Sequence, residues 1–381
     1  MRESQRRSGI ARNLIRILCI GAMATPLSLA APAMSQPESP RPSGRTIGLV
    51  LTSWTHALYE TPSKAECPAG LQAGEEEQMR ARKDGDEQLR RFGSYDARGP
   101  NGEASRFLAW RVEDPIPFRE LQTKVGYGLN LDGTPDGRAT AKSCKHEKFT
   151  SPEGEAVDNQ MARVLGCVAG WRSDGFNTGF IAVEFHNLAT NRVLVEITGV
   201  DSETNDPDVG VNIYKGRDKL VASAPDKYVP FLIQRIDDRF PRYTHTAHGR
   251  IVDGVLITDP IPVADFPGIW VNGPVEHRMK DLRLRLKLTD TGASGFFAGY
   301  EDLKYWWNMH GKGAAAAVGK FSQAGVYRAA HRYADGFPDP ATGQCTAIST
   351  SYKVEAVRAM IPHPVAKALQ TRVAATGEGR Y

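Results

Sequence analysis

Alternation of apolar and polar residues in the second half of the chain predicts β-strands. Residues 282–289 read LRLRLKLT, with leucine on one face and arginine or lysine on the other, the pattern of a strand buried on one side. Shorter apolar runs at 180–186 (FIAVEFH), 192–198 (RVLVEIT) and 209–214 predict further strands. Residues 250–258 read RIVDGVLIT, and their central Asp-Gly pair predicts a β-hairpin because both residues tolerate positive φ.

Helical patterns are fewer, and they lie mainly near the C-terminus. Residues 299–310 and 314–334 predict two helices separated by the Gly-Lys-Gly sequence at 311–313. Residues 75–91 and 158–165 predict two further helices, one polar and one short. Because the strands follow one another without regular helices between them, we expect a mainly β fold. Its predicted core is an antiparallel β-sandwich or barrel-like structure, with helical additions near the C-terminus and disulfide staples.

The first 35 residues have the composition of an export signal. Five arginines precede an apolar run at 17–31 that is too short to span a bilayer. Small residues at 33 and 35 predict cleavage after Ser35, and hence a periplasmic or secreted protein. The remaining chain divides into a disordered tether (36–45), a loop-rich region (46–178), a β-sandwich-like region with the C-terminal helices (179–365) and a frayed tail (366–381). We do not expect an integral membrane protein after processing.

The formal net charge of +4 resides in this leader. It holds five arginines and one glutamate, so the 48 basic and 44 acidic residues of the whole chain reduce to 43 of each in the remainder. A mature chain without net positive charge is not expected to bind nucleic acid in general.

Export places the cysteines in an oxidising compartment. Removing Cys19 with the leader leaves an even number, namely Cys67, Cys144, Cys167 and Cys345. Of the three pairings, we favour Cys144–Cys167, which closes a short loop, together with Cys67–Cys345. The spacing contains no C-x-x-C-H, so covalent haem is not predicted.

Residues 128–137 (GLNLDGTPDG) resemble the opening of a calcium-binding loop in their local spacing. Alternate oxygen-bearing side chains converge on the ion in such loops, and the candidate ligands are Asn130, Asp132, Thr134 and Asp136. The bidentate glutamate expected further along is replaced by Ser143. Because Asp-Gly pairs also populate ordinary turns, a plain turn stays open as the alternative.

A second acidic segment follows a predicted strand. Its candidate calcium ligands are Asp201, Glu203, Asn205, Asp206 and Asp208. They lack the fixed spacing of the first loop, and a solvated turn is the commoner structure for such a sequence. A pair of histidines, His245 and His248, has i, i+3 spacing that suits zinc poorly, and His277 and His310 stand apart from it.

Local motifs for catalysis are missing from the sequence. It has no G-x-S-x-G, no H-E-x-x-H, and neither a P-loop nor a nucleotide-binding glycine motif. We therefore expect an exported, soluble binding or structural protein, with calcium as its candidate stabilising ion. The alternative is a secreted hydrolase of glycans or another extracellular polymer, using dispersed carboxylates such as Glu301 and Asp302 beside Trp306 and Trp307. Those tryptophans also fit a helical core stripe, which is the reading we favour for them.

Overall fold

The computed structural model describes residues 44–92, 98–99, 101–224, 227–270, 273–311 and 319–363. Fifteen strands lie in these residues: β1 (Arg45–His56), β2 (Phe149–Thr150), β3 (Ala156–Val157), β4 (Val193–Val200), β5 (Asp206–Lys215), β6 (Ala222–Ala224), β7 (Lys227–Tyr228), β8 (Leu232–Ile233), β9 (His245–Val252), β10 (Val255–Thr258), β11 (Ile261–Trp270), β12 (Gly273–Leu288), β13 (Gly292–Asp302), β14 (Gly336–Pro338) and β15 (Cys345–Met360). Seven α-helices lie in the same ranges: α1 (Glu75–Ala81), α2 (Gly85–Phe92), α3 (Ser105–Leu108), α4 (Gln160–Leu165), α5 (Phe176–Asn187), α6 (Leu303–Trp306) and α7 (Gln323–Arg332). The predicted leader and the predicted tail lie outside the described residues.

Eight strands close into an antiparallel barrel. Their order is β1-β4-β5-β9-β10-β12-β13-β15, and β15 pairs back onto β1. Each barrel strand neighbours the one that precedes it along the chain, apart from inserted segments, so the barrel runs up and down. Strands β10 and β11 pair one after the other with different parts of β12. Strand β11 therefore extends the sheet on that side of the barrel. The predicted mainly β fold is therefore confirmed in its barrel form, as are its disulfide staples.

Two sequence patterns set the path of the chain around the barrel. Asp253 and Gly254 adopt φ values of 50° and 73°, which form the tight turn between β9 and β10. In β12, Leu282, Leu284 and Leu286 are buried while the intervening basic residues are more exposed. Apolar side chains from all eight strands fill the interior, as expected for a barrel of this strand number.

The described residues of two long excursions, 57–192 and 303–344, lie outside the eight barrel strands, as does a shorter excursion at 216–244 that carries β6, β7 and β8. The two long excursions share a second apolar core that includes Leu165, Trp171, Trp306 and Phe321. The first excursion therefore packs against the C-terminal helices, and β1, which precedes it, is a strand of the barrel.

Several predicted elements differ in the structure. Residues 180–186 lie in α5 and not in a strand, because this short apolar run covers an end of the barrel instead of pairing at an edge. The predicted helix at 299–310 begins as the end of β13 and becomes helical only from Leu303.

The predicted disulfide pairing is wrong. Cys67 is joined to Cys167 and Cys144 to Cys345, with Cα–Cα distances of 5.7 and 6.2 Å. The short spacing between Cys144 and Cys167 favoured a local bridge in the sequence. Closure of the barrel instead brings the start of β15 beside residue 144, while the segment around Cys67 packs against the end of α4.

Candidate functional site

One end of the barrel contains a small cavity covered by α5. Its volume is about 80 Å³, about half that of an apolar cavity that accepts benzene. The walls are mainly apolar and include Trp54, Trp171 and Phe266. Ile181 of α5 and Gly268 of β11 line the cavity and are only half-buried, so its mouth lies between these two elements.

An aromatic cluster forms the barrel side of this cavity. The ring of Trp54 meets Phe266, Phe297 and Tyr352 edge-on, with ring centroids 5.0, 5.3 and 5.2 Å apart. Edge-to-face contacts of this kind stabilise the packing beyond simple burial. The cavity therefore has a well-packed wall on the barrel side.

A buried carboxylate lies behind the floor, where it bonds to two residues that line the cavity. Glu301 is fully buried, and it accepts hydrogen bonds from His277 Nε2, from the Tyr352 hydroxyl at 2.6 Å and from the Thr350 hydroxyl at 3.1 Å. Although burial acts to raise it, the charge and hydrogen bond of His277, with the other neighbours, hold the pKa of Glu301 at about 2. Both carboxylate oxygens are engaged, so Glu301 stays ionised and fixed.

A second imidazole completes the polar floor. Burial lowers the pKa of His56 to about 4, against the opposing charge of Glu301, so His56 is neutral near pH 7. His56, His277 and Tyr352 all line the cavity. Apolar walls with a few fixed polar groups are the usual composition of a small-molecule site.

The two carboxylates considered for glycan hydrolysis do not face each other. Glu301 and Asp302 are consecutive in β13, and consecutive strand residues point to opposite faces. Asp302 instead pairs with Lys280 at 3.0 Å. Trp306 and Trp307 are 2% and 6% exposed, which fits the core stripe.

The predicted calcium loop is organised around a lysine ammonium. Lys148 Nζ lies 3.0 Å from Asn130 Oδ1, 2.6 Å from Asp132 Oδ1, and 2.6 and 2.7 Å from the two oxygens of Asp158. Two of the predicted ligands are therefore brought together. Because Lys148 uses the same oxygens that Ca²⁺ would use, calcium binding by this loop stays a prediction, with the ammonium as its competitor.

The other two predicted ligands lie apart from the ammonium. Thr134 is buried, donates its hydroxyl to Asp132 and accepts a hydrogen bond from the backbone N–H of Gly137. Asp136 is exposed and accepts from the backbone N–H of Arg138 at 3.3 Å. Both residues shape the turn.

Asp132, His146, Lys148, Asp158 and Asp335 form a buried group that we call the acidic cluster. Their side chains are at most 6% exposed. His146 Nε2 lies 2.7 Å from Asp158 Oδ1, 3.7 Å from Asp335 Oδ2 and 3.9 Å from Asp132 Oδ2. Ligand atoms of Asp132, His146 and Asp158 are close enough to share one metal ion.

The charges within the acidic cluster are strongly coupled. Although burial acts to lower it, the hydrogen bond to Asp158 and the charge of Asp335 raise the pKa of His146 to about 8. Burial raises the pKa of Asp335 to about 7. Asp158 is also buried, yet its hydrogen bonds from His146 and Lys148 lower its pKa.

The second predicted calcium segment forms a turn capped by one aspartate. Asp206 is buried, and it accepts hydrogen bonds from the backbone N–H groups of Asp201, Ser202 and Asp208. These bonds lower the pKa of Asp206, against the effect of burial.

The remaining polar groups of this segment point to other partners. Glu203 pairs with Arg358 at 2.6 Å, and Asn205 Oδ1 accepts from the backbone N–H of Asp253. The side chain of Asp208 is 80% exposed. The oxygens do not converge as the loop prediction requires.

Comparisons with known proteins identify no relative. No protein-family model, no curated protein and no solved structure matches the chain. Across the described residues, no helix is both long enough and apolar enough to cross a membrane.

Local sequence patterns did not identify His56, Tyr352, His146, Lys148 and Asp335 as site residues. His56 follows an apolar strand and Tyr352 lies in the closing strand, so strand periodicity could have placed both at a barrel end. The acidic cluster draws on residues up to 203 positions apart, from 132 to 335, and no local spacing signals it.

Proposed function

We propose that the mature chain is an exported binding protein that holds one small, mainly apolar ligand at the end of its barrel. The cavity under α5 carries this proposal, because it combines aromatic walls with a fixed polar floor. A short alkyl group, or one edge of an aryl ring whose remainder protrudes through the mouth, would fill the apolar part. One polar group of the ligand would bond to His56 or Tyr352 at the floor.

The size of the cavity limits the ligand. About 80 Å³ accommodates only a few non-hydrogen atoms. A larger ligand would have to protrude through the mouth beside Ile181 or displace α5. Exposed apolar side chains on α5, including Phe176 and Val183, show that this helix packs against the barrel with only part of its surface.

The hydrogen bonds of Glu301 favour ligand binding over polymer hydrolysis as the function of this site. Its oxygens accept from three side chains, and no second carboxylate stands opposite it among the residues that line the cavity. Stabilisation by calcium and export to the periplasm or medium remain parts of this proposal, each with its own test in the Discussion.

The binding proposal is tested with indole, phenol and octanoate as probes. Trp54 and Trp171 line the cavity, so binding should change the intrinsic tryptophan fluorescence and raise the melting temperature. Ile181→Trp should fill the mouth and abolish both responses. Val183→Trp, on the exposed side of the same helix, is the matched control and should keep them.

A chain in which Ile181→Trp and Val183→Trp respond alike would refute binding at this cavity. Failure of all three probes to bind wild type at millimolar concentration would refute the proposed ligand class.

A further inference from the structure

Three carboxylate oxygens of the acidic cluster lie near one imidazole nitrogen. Asp132 Oδ2, Asp158 Oδ1 and Asp335 Oδ2 lie 3.9, 2.7 and 3.7 Å from His146 Nε2, and ligand atoms of Asp132, His146 and Asp158 are all within 4.8 Å of one another. Ligands placed tetrahedrally around zinc lie roughly 3.3–3.5 Å from one another, a value within the range of these three nitrogen–oxygen distances. We propose that these four residues bind one structural divalent transition-metal ion of the zinc class.

The orientation of the imidazole supports this assignment. His146 Nδ1 lies 2.9 Å from the carbonyl oxygen of Cys144, and a carbonyl can only accept, so Nδ1 carries a proton. A metal-binding histidine usually donates its other ring N–H in this way, which directs the lone pair of the second nitrogen to the ion. Cys144 is itself held by its disulfide to Cys345.

Two buried polar atoms without hydrogen-bond partners belong to this neighbourhood. In the described part of the chain, neither Asp335 Oδ2 nor the Tyr300 hydroxyl has such a partner, although the two residues are 0% and 1% exposed. The Tyr300 hydroxyl lies in the field of Asp335, Asp158 and Asp132, whose charges act with burial to raise its pKa. Buried polar groups are rarely left unbonded. An ion would bind Asp335 Oδ2, and a water on that ion would accept from Tyr300.

Lys148 contacts the same carboxylates. Its ammonium contacts Asp132 through Oδ1, whereas Oδ2 of the same residue faces His146. The ammonium also lies 2.6 Å from Asp158 Oδ1, so this oxygen would serve both the ammonium and the ion. With His146 neutral and Asp335 ionised, as metal ligands must be, three carboxylates against one ammonium leave two negative charges, which a divalent ion would balance. The neighbouring Arg283 donates to two backbone carbonyls of the loop.

The donor set selects the class of metal. Calcium takes six to eight oxygens, whereas imidazole nitrogen suits zinc and its neighbours. The side chains of His146 and Asp132 are 5% and 0% exposed, so the site is closed to substrates and would act as a staple. It would fix the loop of residues 130–158 to the segment before β15, beside the Cys144–Cys345 disulfide. The inference is independent of the ligand proposed for the barrel.

The test measures metal content and stability after controlled refolding. The protein, with both disulfides intact, is unfolded in guanidinium chloride with EDTA and refolded in parallel with Zn²⁺, Mn²⁺, Ca²⁺ or no metal. Elemental analysis after gel filtration should find about one zinc per chain, and the melting temperature should rise by about 5 °C over metal-free protein.

Ligand variants separate a metal site from an ion-pair network. His146→Gln and Asp335→Asn should each reduce retained zinc by at least about tenfold. His248→Gln removes an 80% exposed imidazole and should retain zinc as wild type does. Circular dichroism checks that each variant is folded. If a variant does not fold, the zinc content and melting temperature of the wild type still test the proposal.

Three results would overturn the proposal. Wild type could retain no zinc and melt at one temperature with and without it, which would make the cluster a network of imidazolium, ammonium and carboxylates. His146→Gln could retain as much zinc as wild type. Wild type could retain Ca²⁺ in preference to Zn²⁺, which would favour the loop predicted from the sequence.

Discussion

The ammonium of Lys148 lies 2.6 Å from Asp132 Oδ1, where the predicted loop would direct a charged oxygen at calcium. Both side chains are almost fully buried, at 6% and 0% exposure. The Lys148 ammonium therefore binds a carboxylate oxygen that the sequence pattern predicts as a calcium ligand.

We predict that Lys148→Met destabilises the protein by on the order of 3 kcal/mol, because it leaves the carboxylates of Asp132 and Asp158 buried without this partner. If the loop binds calcium, millimolar CaCl₂ should restore part of that loss, since the competing ammonium is gone. Urea unfolding with and without CaCl₂ measures both effects. The control is Lys142→Met, which removes a 63% exposed ammonium paired with Asp281 and should cost less than about 1 kcal/mol.

The same titration separates the four predicted calcium ligands. Any stabilisation of wild type by calcium should disappear in Asp132→Asn and persist in Asp136→Asn, because Asp136 is exposed and bonds only to a nearby backbone N–H. Equal loss in both variants would contradict the geometry described here. A wild type insensitive to millimolar calcium would leave the loop as a plain turn.

Each disulfide should stabilise the protein by several kcal/mol. Cys144–Cys345 spans 201 residues and Cys67–Cys167 spans 100. In a chain-entropy account, a twofold longer loop adds only about 0.6 kcal/mol. Replacing either pair with serine should therefore lower the free energy of unfolding by similar amounts, about 2–5 kcal/mol. Peptide mapping without reductant checks the pairing, and a Cys67–Cys345 peptide would contradict it.

Protonation of His56 should weaken the fold in acid. Its pKa is about 4 in the folded protein against 6.5 normally, so between these values the unfolded chain binds more protons. Stability from His56 is therefore complete above pH 6.5 and declines as the pH falls toward 4, by on the order of 3 kcal/mol. Glu301, with a pKa of about 2 against 4.5, adds a loss in the same direction at lower pH.

The effect of His56 must be isolated with a variant, because Asp335 titrates over the same pH range. Its pKa is raised to about 7, so folding takes up a proton at Asp335. That contribution has the opposite sign. The difference between wild type and His56→Gln, from urea unfolding at several pH values, should shrink as the pH falls from 6.5 to 4. A difference independent of pH would show that His56 is not buried as a neutral group.

The leader prediction concerns residues outside the described ranges. Expression of the full chain should give a mature N-terminus at Gln36 in the periplasm or medium. N-terminal sequencing decides the point, and retention of residues 1–35 in a membrane pellet would refute it.

The barrel was largely predictable because its signals are local. The alternation at 282–289 and the Asp-Gly turn at 253–254 specify strand faces and a hairpin within a few residues. The run at 180–186 was misassigned because a short apolar segment fits a strand or a packed helix equally well. Only its position over the barrel end decides between them.

The sites were less predictable because they depend on closure of the barrel. Asp132 carried a local signal through its loop spacing, but its partners His146 and Asp335 carried none. Glu301 was considered for the wrong reason, since its neighbour in sequence points away and its true partners His277 and Tyr352 come from other strands. The predicted disulfide pairing was wrong for the same reason, since the pairing also depends on closure of the barrel.

Strand β15 has a consequence for the order of events during synthesis. It closes the barrel against β1, supplies Thr350 and Tyr352 to Glu301, and carries Cys345. Its Ser349 also holds Asp335 through a backbone hydrogen bond. All of this arrives in the last of the eight barrel strands to leave the ribosome. Until β15 is synthesised, one edge of β1 and one edge of β13 lack a partner strand and are open to association with other chains. A chaperone that binds the nascent protein would protect these edges during that interval.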